Sequence, residues 1–118
     1  MKKKLLITSS SRTFIQLCGP MIPELAKTFR VVVLLEILKG IITPTSVFTT
    51  LDFWKENNII ENYILTPDSQ EGLKFHLFMK QTVKELKNYN FDLWLTRSEM
   101  QPSDRYILDC TLPEKCIK

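Results

Sequence analysis

The stretch RVVVLLE, residues 30–36, decides the fold of this chain. Its five central residues are apolar and three of them are β-branched, which is typical of a strand buried on both faces. Such a strand belongs inside a parallel sheet, because helices cover both faces of a sheet of that kind. The sequence on either side of it should therefore alternate between strands and helices.

Short apolar runs and longer periodic stretches do alternate along the rest of the chain. The runs at residues 5–7, 63–65 and 91–95 predict three more strands, and residues 115–118 begin a fifth. Alternation of this kind is typical of βαβ units. We predict an α/β fold, a three-layer α/β/α open parallel sheet of four to five strands, Rossmann-like or flavodoxin-like. The chain suits one domain, residues 1–118, and its opening last strand predicts the N-terminal part of a longer two-domain protein.

The predicted helices follow the apolar spacing. Over residues 13–29 the spacing is helical, with a break expected near Gly19-Pro20 and the main helix continuing through Lys27. A second helix is predicted to begin at Thr43-Pro44 and to end at a left-handed Asn57-Asn58. Three of its apolar residues share the buried face: Val47, Leu51 and Trp54.

The longest predicted helix covers residues 69–87 and starts at a capping box formed by Asp68 and Glu71. Its buried face is predicted from residues at steps of three and four: Phe75, Met79, Thr82, Leu86 and Tyr89. Three more apolar residues are expected to widen that face: Leu73, Leu77 and Val83. The opposite face is expected to be solvated and carries Lys74, Lys80, Lys84 and Lys87.

Composition narrows the class of partner. The 16 basic and 13 acidic residues leave a net charge of +3, and no basic stripe is interleaved with aromatic residues, so we expect no nucleic-acid partner. The start MKKKLLI has only three apolar residues, whereas a secretory signal needs about 7–15. No stretch approaches the roughly 18 apolar residues of a transmembrane segment. We therefore expect a soluble, cytoplasmic protein.

The cysteines and the single histidine predict no metal site. Cys18, Cys110 and Cys116 are odd in number and match no zinc spacing, so we interpret them as reduced thiols. His76 lies within a helix and has no serine, cysteine or aspartate at catalytic spacing. The sequence therefore predicts no self-sufficient active site, and its catalytic residues stay unassigned.

Binding residues are predicted in the loops that follow two strands, because open parallel sheets bind ligands outside their carboxyl ends. The first loop holds three hydroxyls and a cation, which can bind an anion or substrate: Ser9, Ser10, Ser11 and Arg12. The loop after the fourth strand holds Thr96, Arg97 and Ser98. Glu36 ends the second strand, where an acid can accept a ribose hydroxyl. Neither GxGxxG nor GxxxxGK[ST] is present.

Three phrases carry a resemblance: GPMIPELAKTF at 19–29, RVVVLLE at 30–36 and NYNFDLWLTRSEMQPSDRYILDC at 88–110. In this order the chain resembles the N-terminal Rossmann-like domain of GT-B-type glycosyltransferases of the bacterial surface-carbohydrate and glycerophosphate-transfer type. The resemblance implies an acceptor-side domain that lines an interdomain cleft with its first and fourth loops. It also implies a nucleotide sugar as donor, bound chiefly by a second Rossmann-like domain, and no cofactor bound by this domain alone.

Two other classes fit the same sequence. One is a free-standing flavodoxin-like domain that binds a phosphate-bearing small molecule at the same strand ends. The other is a non-enzymatic interaction domain that uses the exposed side of the helix between Phe48 and Trp54. In each class an uncovered sheet edge would let copies of the chain pair.

Overall fold

The computed structural model describes residues 2–10, 19–36, 45–67, 72–95 and 116–117. One parallel sheet has the strand order β3-β2-β1-β4-β5. Its strands are β1 (Lys3–Ser10), β2 (Phe29–Glu36), β3 (Asn62–Leu65), β4 (Leu93–Leu95) and β5 (Cys116–Ile117). The predicted open parallel sheet is confirmed. The order matches the first five strands of the 3-2-1-4-5-6 Rossmann sheet and differs from the 2-1-3-4-5 order of flavodoxin.

Within the described residues, three helices cover the two faces of the sheet. They are α1 (Ile22–Leu25), which follows a 3-10 turn at Gly19–Met21, α2 (Thr45–Glu56) and α3 (Leu73–Tyr89). Alternate side chains of the central strands point to opposite faces. One core therefore lies between the sheet and the helices α1 and α2. It is formed by Leu5, Ile7, Ile22, Val31, Val33, Leu35, Val47, Leu51 and Ile60. The second joins α3 to Leu6, Val32, Leu34, Phe75, Met79, Leu86, Phe91 and Trp94. The predicted three layers are confirmed.

β1 is longer than the apolar run that predicts it. Pairing with β2 continues through Thr8↔Leu34 to Ser10↔Glu36, so these polar residues are strand and not the turn expected after residue 7. β4 is shorter than predicted, since Phe91 is buried ahead of the strand, which begins at Leu93. The limits of both strands are therefore set by backbone pairing with a neighbouring strand, and the polarity of the residues does not predict them.

The predicted helix limits need three corrections. α1 ends at Leu25, not Lys27, and Phe29 begins β2 because it pairs with Lys3. α3 begins at Leu73, preceded by Gly72 at φ 58, so the helix does not start at residue 69. Its last predicted residue was 87, but it runs on to Tyr89. The predicted features at residues 13–18, Thr43-Pro44 and 68–71 lie outside the described residues.

The second helix matches its prediction closely. Val47 and Leu51 are buried, and Trp54 packs partly buried against the same core. Asn58 has φ 59, which confirms the left-handed stop, and the Asn57 side chain donates to the Phe53 carbonyl at 2.8 Å. Asparagine adopts a positive φ more readily than most other non-glycine residues, which is why Asn57-Asn58 predicts the end of this helix.

A reciprocal backbone clamp joins the starts of β1 and β4. The Lys4 N–H donates to Asp92 Oδ2 at 2.9 Å, and the Asp92 N–H donates to the Lys4 carbonyl at 2.9 Å. We expect Asp92→Ala to lower the free energy of unfolding by about 1 kcal/mol, because one exposed hydrogen bond is lost. Asp92→Asn keeps an acceptor oxygen and should lose less. Urea denaturation checks this, and an unchanged midpoint for the alanine variant would contradict it.

Tyr63 links β3 to α2 through a side-chain hydrogen bond. This bond makes the free energy of unfolding depend on pH in the alkaline range. Its hydroxyl donates to the Asp52 carboxylate, and this hydrogen bond, with burial and the charges of Asp52 and Glu56, raises the pKa of Tyr63 above 10.0. The unfolded chain therefore releases the phenol proton first. The stabilisation is complete below about pH 10 and is lost as pH rises through the folded pKa.

An ultraviolet phenolate titration tests this coupling. The absorbance difference between the natural chain and Tyr63→Phe isolates Tyr63, which should titrate above a free tyrosine. Asp52→Asn should bring that pKa back toward 10.0, since the hydrogen bond to the carboxylate and its negative charge are removed. Titration of Tyr63 at or below the ordinary tyrosine value would show that the Asp52 contact does not persist in solution.

Candidate functional site

The strand order places a topological switch point beside β1. From β1 the chain builds β2 and β3 on one side, then crosses to place β4 and β5 on the other. The direction of strand addition therefore reverses between β1 and β4. In open α/β sheets a ligand crevice lies outside the carboxyl ends of the strands at such a point. At this switch point β1 ends with Ser9 and Ser10.

A row of polar residues ends the neighbouring strands at this edge. Ser10 pairs with Glu36, and the Thr66 N–H donates to the Leu35 carbonyl at 3.0 Å, which extends the row to the end of β3. Thr66 and Ser9 are buried, and Glu36 has no exposed surface. Burying a carboxylate costs several kcal/mol unless polar groups compensate it. A buried carboxylate and two buried hydroxyls are thus concentrated at the edge where open parallel sheets bind ligands.

A buried hydrogen bond ties β1 to β4 directly beneath the crevice. Trp94 Nε1 donates to Thr8 Oγ1 at 2.9 Å, and both side chains are almost wholly buried. The bond satisfies the indole N–H inside the α3-side core. Because Leu95 pairs with Ile7, the contact lies within the last paired residues of the two strands. It fixes the two strands between which the order reverses.

Two of the seven predicted binding residues lie in the described chain. Ser9 and Ser10 end β1, and Ser9 is only 4% exposed. The other five lie outside the described residues: Ser11, Arg12, Thr96, Arg97 and Ser98. Their predicted role at the crevice stays a prediction. Cys18 and Cys110 also lie outside the described residues, whereas Cys116 belongs to β5.

Sequence reasoning missed Thr8 and Thr66 at this edge. Each threonine directly follows an apolar run predicted as a strand, Thr8 after residues 5–7 and Thr66 after residues 63–65. The sequence does contain a signal for both threonines, because side chains two residues apart in a strand point to the same face of the sheet. Thr8 is two residues beyond the buried Leu6, and Thr66 is two beyond Ile64, which packs on the same core.

A second concavity lies at the opposite, amino edge of the sheet. It is a cleft of about 310 Å³. The Arg30 guanidinium pairs with the Glu61 carboxylate there, and Lys2 Nζ donates to the Ala26 carbonyl at 2.8 Å. These charged groups already have partners, and no predicted binding residue lines the cleft. The cleft lies at the opposite edge of the sheet from the predicted binding residues that the structure describes.

Comparison of the chain with family models, curated proteins and solved structures found no match. The assignment of function therefore depends on the geometry of the molecule. Within the described ranges, no group of three or more His, Cys, Asp or Glu side chains could hold a metal ion. No helix in the same ranges is long and apolar enough to cross a bilayer.

The helix proposed as an interaction surface divides its aromatic residues between core and solvent. Trp54 packs against the core on the α2 side of the sheet, whereas Phe53 is 56% exposed. Burial of both would have removed most of the case for an interaction domain, and only one is packed. A single exposed phenylalanine is common on a protein surface.

Proposed function

We propose that this chain is the acceptor-side domain of a glycosyltransferase-like enzyme that transfers a sugar or glycerophosphate from a nucleotide-activated donor. In this proposal the domain binds the hydroxyl-bearing part of the acceptor in the crevice at the carboxyl edge. A second Rossmann-like domain supplies most contacts to the nucleotide sugar. The domain is inactive alone and works in the cytoplasm.

The reversal of strand order between β1 and β4 is the observation that carries the proposal. It gives the sheet the Rossmann order and not that of flavodoxin, which suits the Rossmann-like domain that the sequence resembles. The amino-edge cleft offers no comparable argument, because parallel sheets do not generally bind ligands there.

The chemistry of the edge favours a ligand rich in hydroxyl groups. Glu36 is an acceptor with about four lone-pair sites, so a partner within the domain leaves it capacity for ligand hydroxyls. Thr66, on the same face of the sheet as Glu36, adds a hydroxyl that both donates and accepts. Hydrogen bonds from hydroxyls to a carboxylate are charge-assisted and stronger than neutral ones.

Calorimetric titration of the chain with monosaccharides, glycerol phosphate and nucleotide sugars tests the proposal. We expect weak binding of a sugar or polyol and no tight binding of any nucleotide. Glu36→Gln, with its fold checked by circular dichroism, should weaken binding about tenfold or more, since a charge-assisted bond is lost. Arg30→Gln at the amino edge is the control and should leave affinity unchanged.

Two outcomes would overturn the proposal. If the chain alone binds a nucleotide or another phosphate ligand tightly, it is a free-standing binding domain. If folded Glu36→Gln binds every ligand as the natural chain does while Arg30→Gln loses binding, the site lies at the wrong edge of the sheet.

A further inference from the structure

Two leucines of α3 point away from the core. The helical spacing predicts that Leu73 and Leu77 widen the buried face, but they are 70% and 57% exposed. That prediction is wrong, because Phe75, Met79 and Leu86 set the buried face, which turns Leu73 and Leu77 outward. Val83 is only partly buried. The two leucines therefore share the outer face of α3 with its lysines.

The outer face forms one continuous stripe, which we name the α3 stripe. At about 100° per residue, its members fall within an arc of about 80°. They are Leu73, Leu77, Lys80, Lys84 and Lys87. At about 1.5 Å per residue the stripe is about 21 Å long, apolar at the start of the helix and basic toward its end. Glu85, the sole acid of α3, lies outside the arc.

The charge of the stripe is not neutralised by the described part of the domain. The ion pairs there join Lys27 to Glu24 and Arg30 to Glu61, and neither involves α3. Lys80, Lys84 and Lys87 are all exposed. A helix face with exposed leucines beside three lysines suits an anionic lipid surface. The leucine side chains can insert among the lipids, and the lysines are attracted to the negatively charged headgroups.

We propose that the α3 stripe docks this domain on an anionic lipid surface. The observations favour lipid over a protein partner, because protein interfaces are enriched in aromatic residues and arginine and depleted in lysine. The stripe has lysines and leucines only, and the outside of a helix is convex and offers no pocket for an anchoring side chain. The proposal is independent of the carboxyl-edge ligand.

Vesicle co-sedimentation tests the proposal with the whole chain. We expect binding to vesicles of equal parts phosphatidylcholine and phosphatidylglycerol, weakened by added salt, and little binding to phosphatidylcholine alone. The triple variant Lys80→Gln, Lys84→Gln and Lys87→Gln should lose about a hundredfold in partitioning, at about fivefold per lysine. Leu73→Ser with Leu77→Ser should lose about tenfold, since less apolar surface can be buried.

Matched variants elsewhere on the domain provide the controls. Lys3→Gln, Lys27→Gln and Lys55→Gln together remove the same charge from other surfaces, and Phe53→Ser removes an exposed apolar side chain from α2. These should bind more tightly than the matching stripe variants. The proposal is overturned if the natural chain stays in the supernatant with anionic vesicles, or if control and stripe variants lose binding equally. A dimer that Leu73→Ser with Leu77→Ser dissociates would also overturn it, because the leucines would then cover each other.

Discussion

Replacement of Trp94 by alanine should lower the free energy of unfolding by about 3–5 kcal/mol, the typical cost of truncating a buried tryptophan. Trp94 has no exposed surface and lies in the core between the sheet and α3. Domains of this size are stable by about 5–15 kcal/mol, so the variant should lose a large share of its stability. Urea denaturation followed by circular dichroism measures the change, with truncation of the half-buried Trp54 as the smaller-effect control.

The loss should contain a separable hydrogen-bond contribution. Thr8→Val keeps the side-chain shape but leaves the buried Trp94 N–H without its acceptor, which should cost about 1–3 kcal/mol. Trp94→Phe removes the donor, and the double variant closes a cycle that isolates the coupling between the two groups. Strictly additive single and double variants would contradict a bond between β1 and β4.

The second large effect distinguishes the two faces of α3. Met79 is wholly buried, so Met79→Ala should cost about 2–5 kcal/mol. Leu77 is 57% exposed, so Leu77→Ala should change stability by about 0.5 kcal/mol or less. The two substitutions lie on the same helix two residues apart and both create alanine, so helix propensity cannot produce the difference. A similar cost for both would mean that α3 is rotated from the orientation described here.

The strands could be predicted from sequence because their signal is local. The run of five apolar residues in β2 identified the central parallel strand, and alternation along it supplies both cores. The limits of β1 could not be predicted, because Thr8 to Ser10 are strand only through pairing with a partner distant in sequence. When only the local sequence is considered, polar residues that follow an apolar run predict a turn.

The orientation of α3 shows a second limit of the sequence. Leucines at 73 and 77 fit a broad apolar face, but spacing alone does not say where that face is centred. Phe75, Met79 and Leu86 fill the core, whereas Leu73 and Leu77 point to solvent. At the carboxyl edge, Glu36 ends β2 as predicted, whereas Ser9 and Ser10 were predicted in a loop and belong to β1. The Thr8–Trp94 bond could not be predicted, because it depends on strand order.

An amide-resolved nuclear magnetic resonance titration tests the central claim, that this domain binds its ligand at the carboxyl edge of the sheet. The isotopically labelled chain is titrated with monosaccharides, glycerol phosphate and nucleotide sugars. We predict shifts concentrated at Ser9, Ser10, Glu36 and Thr66, with the amino-edge amides of Arg30 and Glu61 unchanged. Shifts centred on the amino-edge cleft, or no shifts with any of these ligands, would contradict the account.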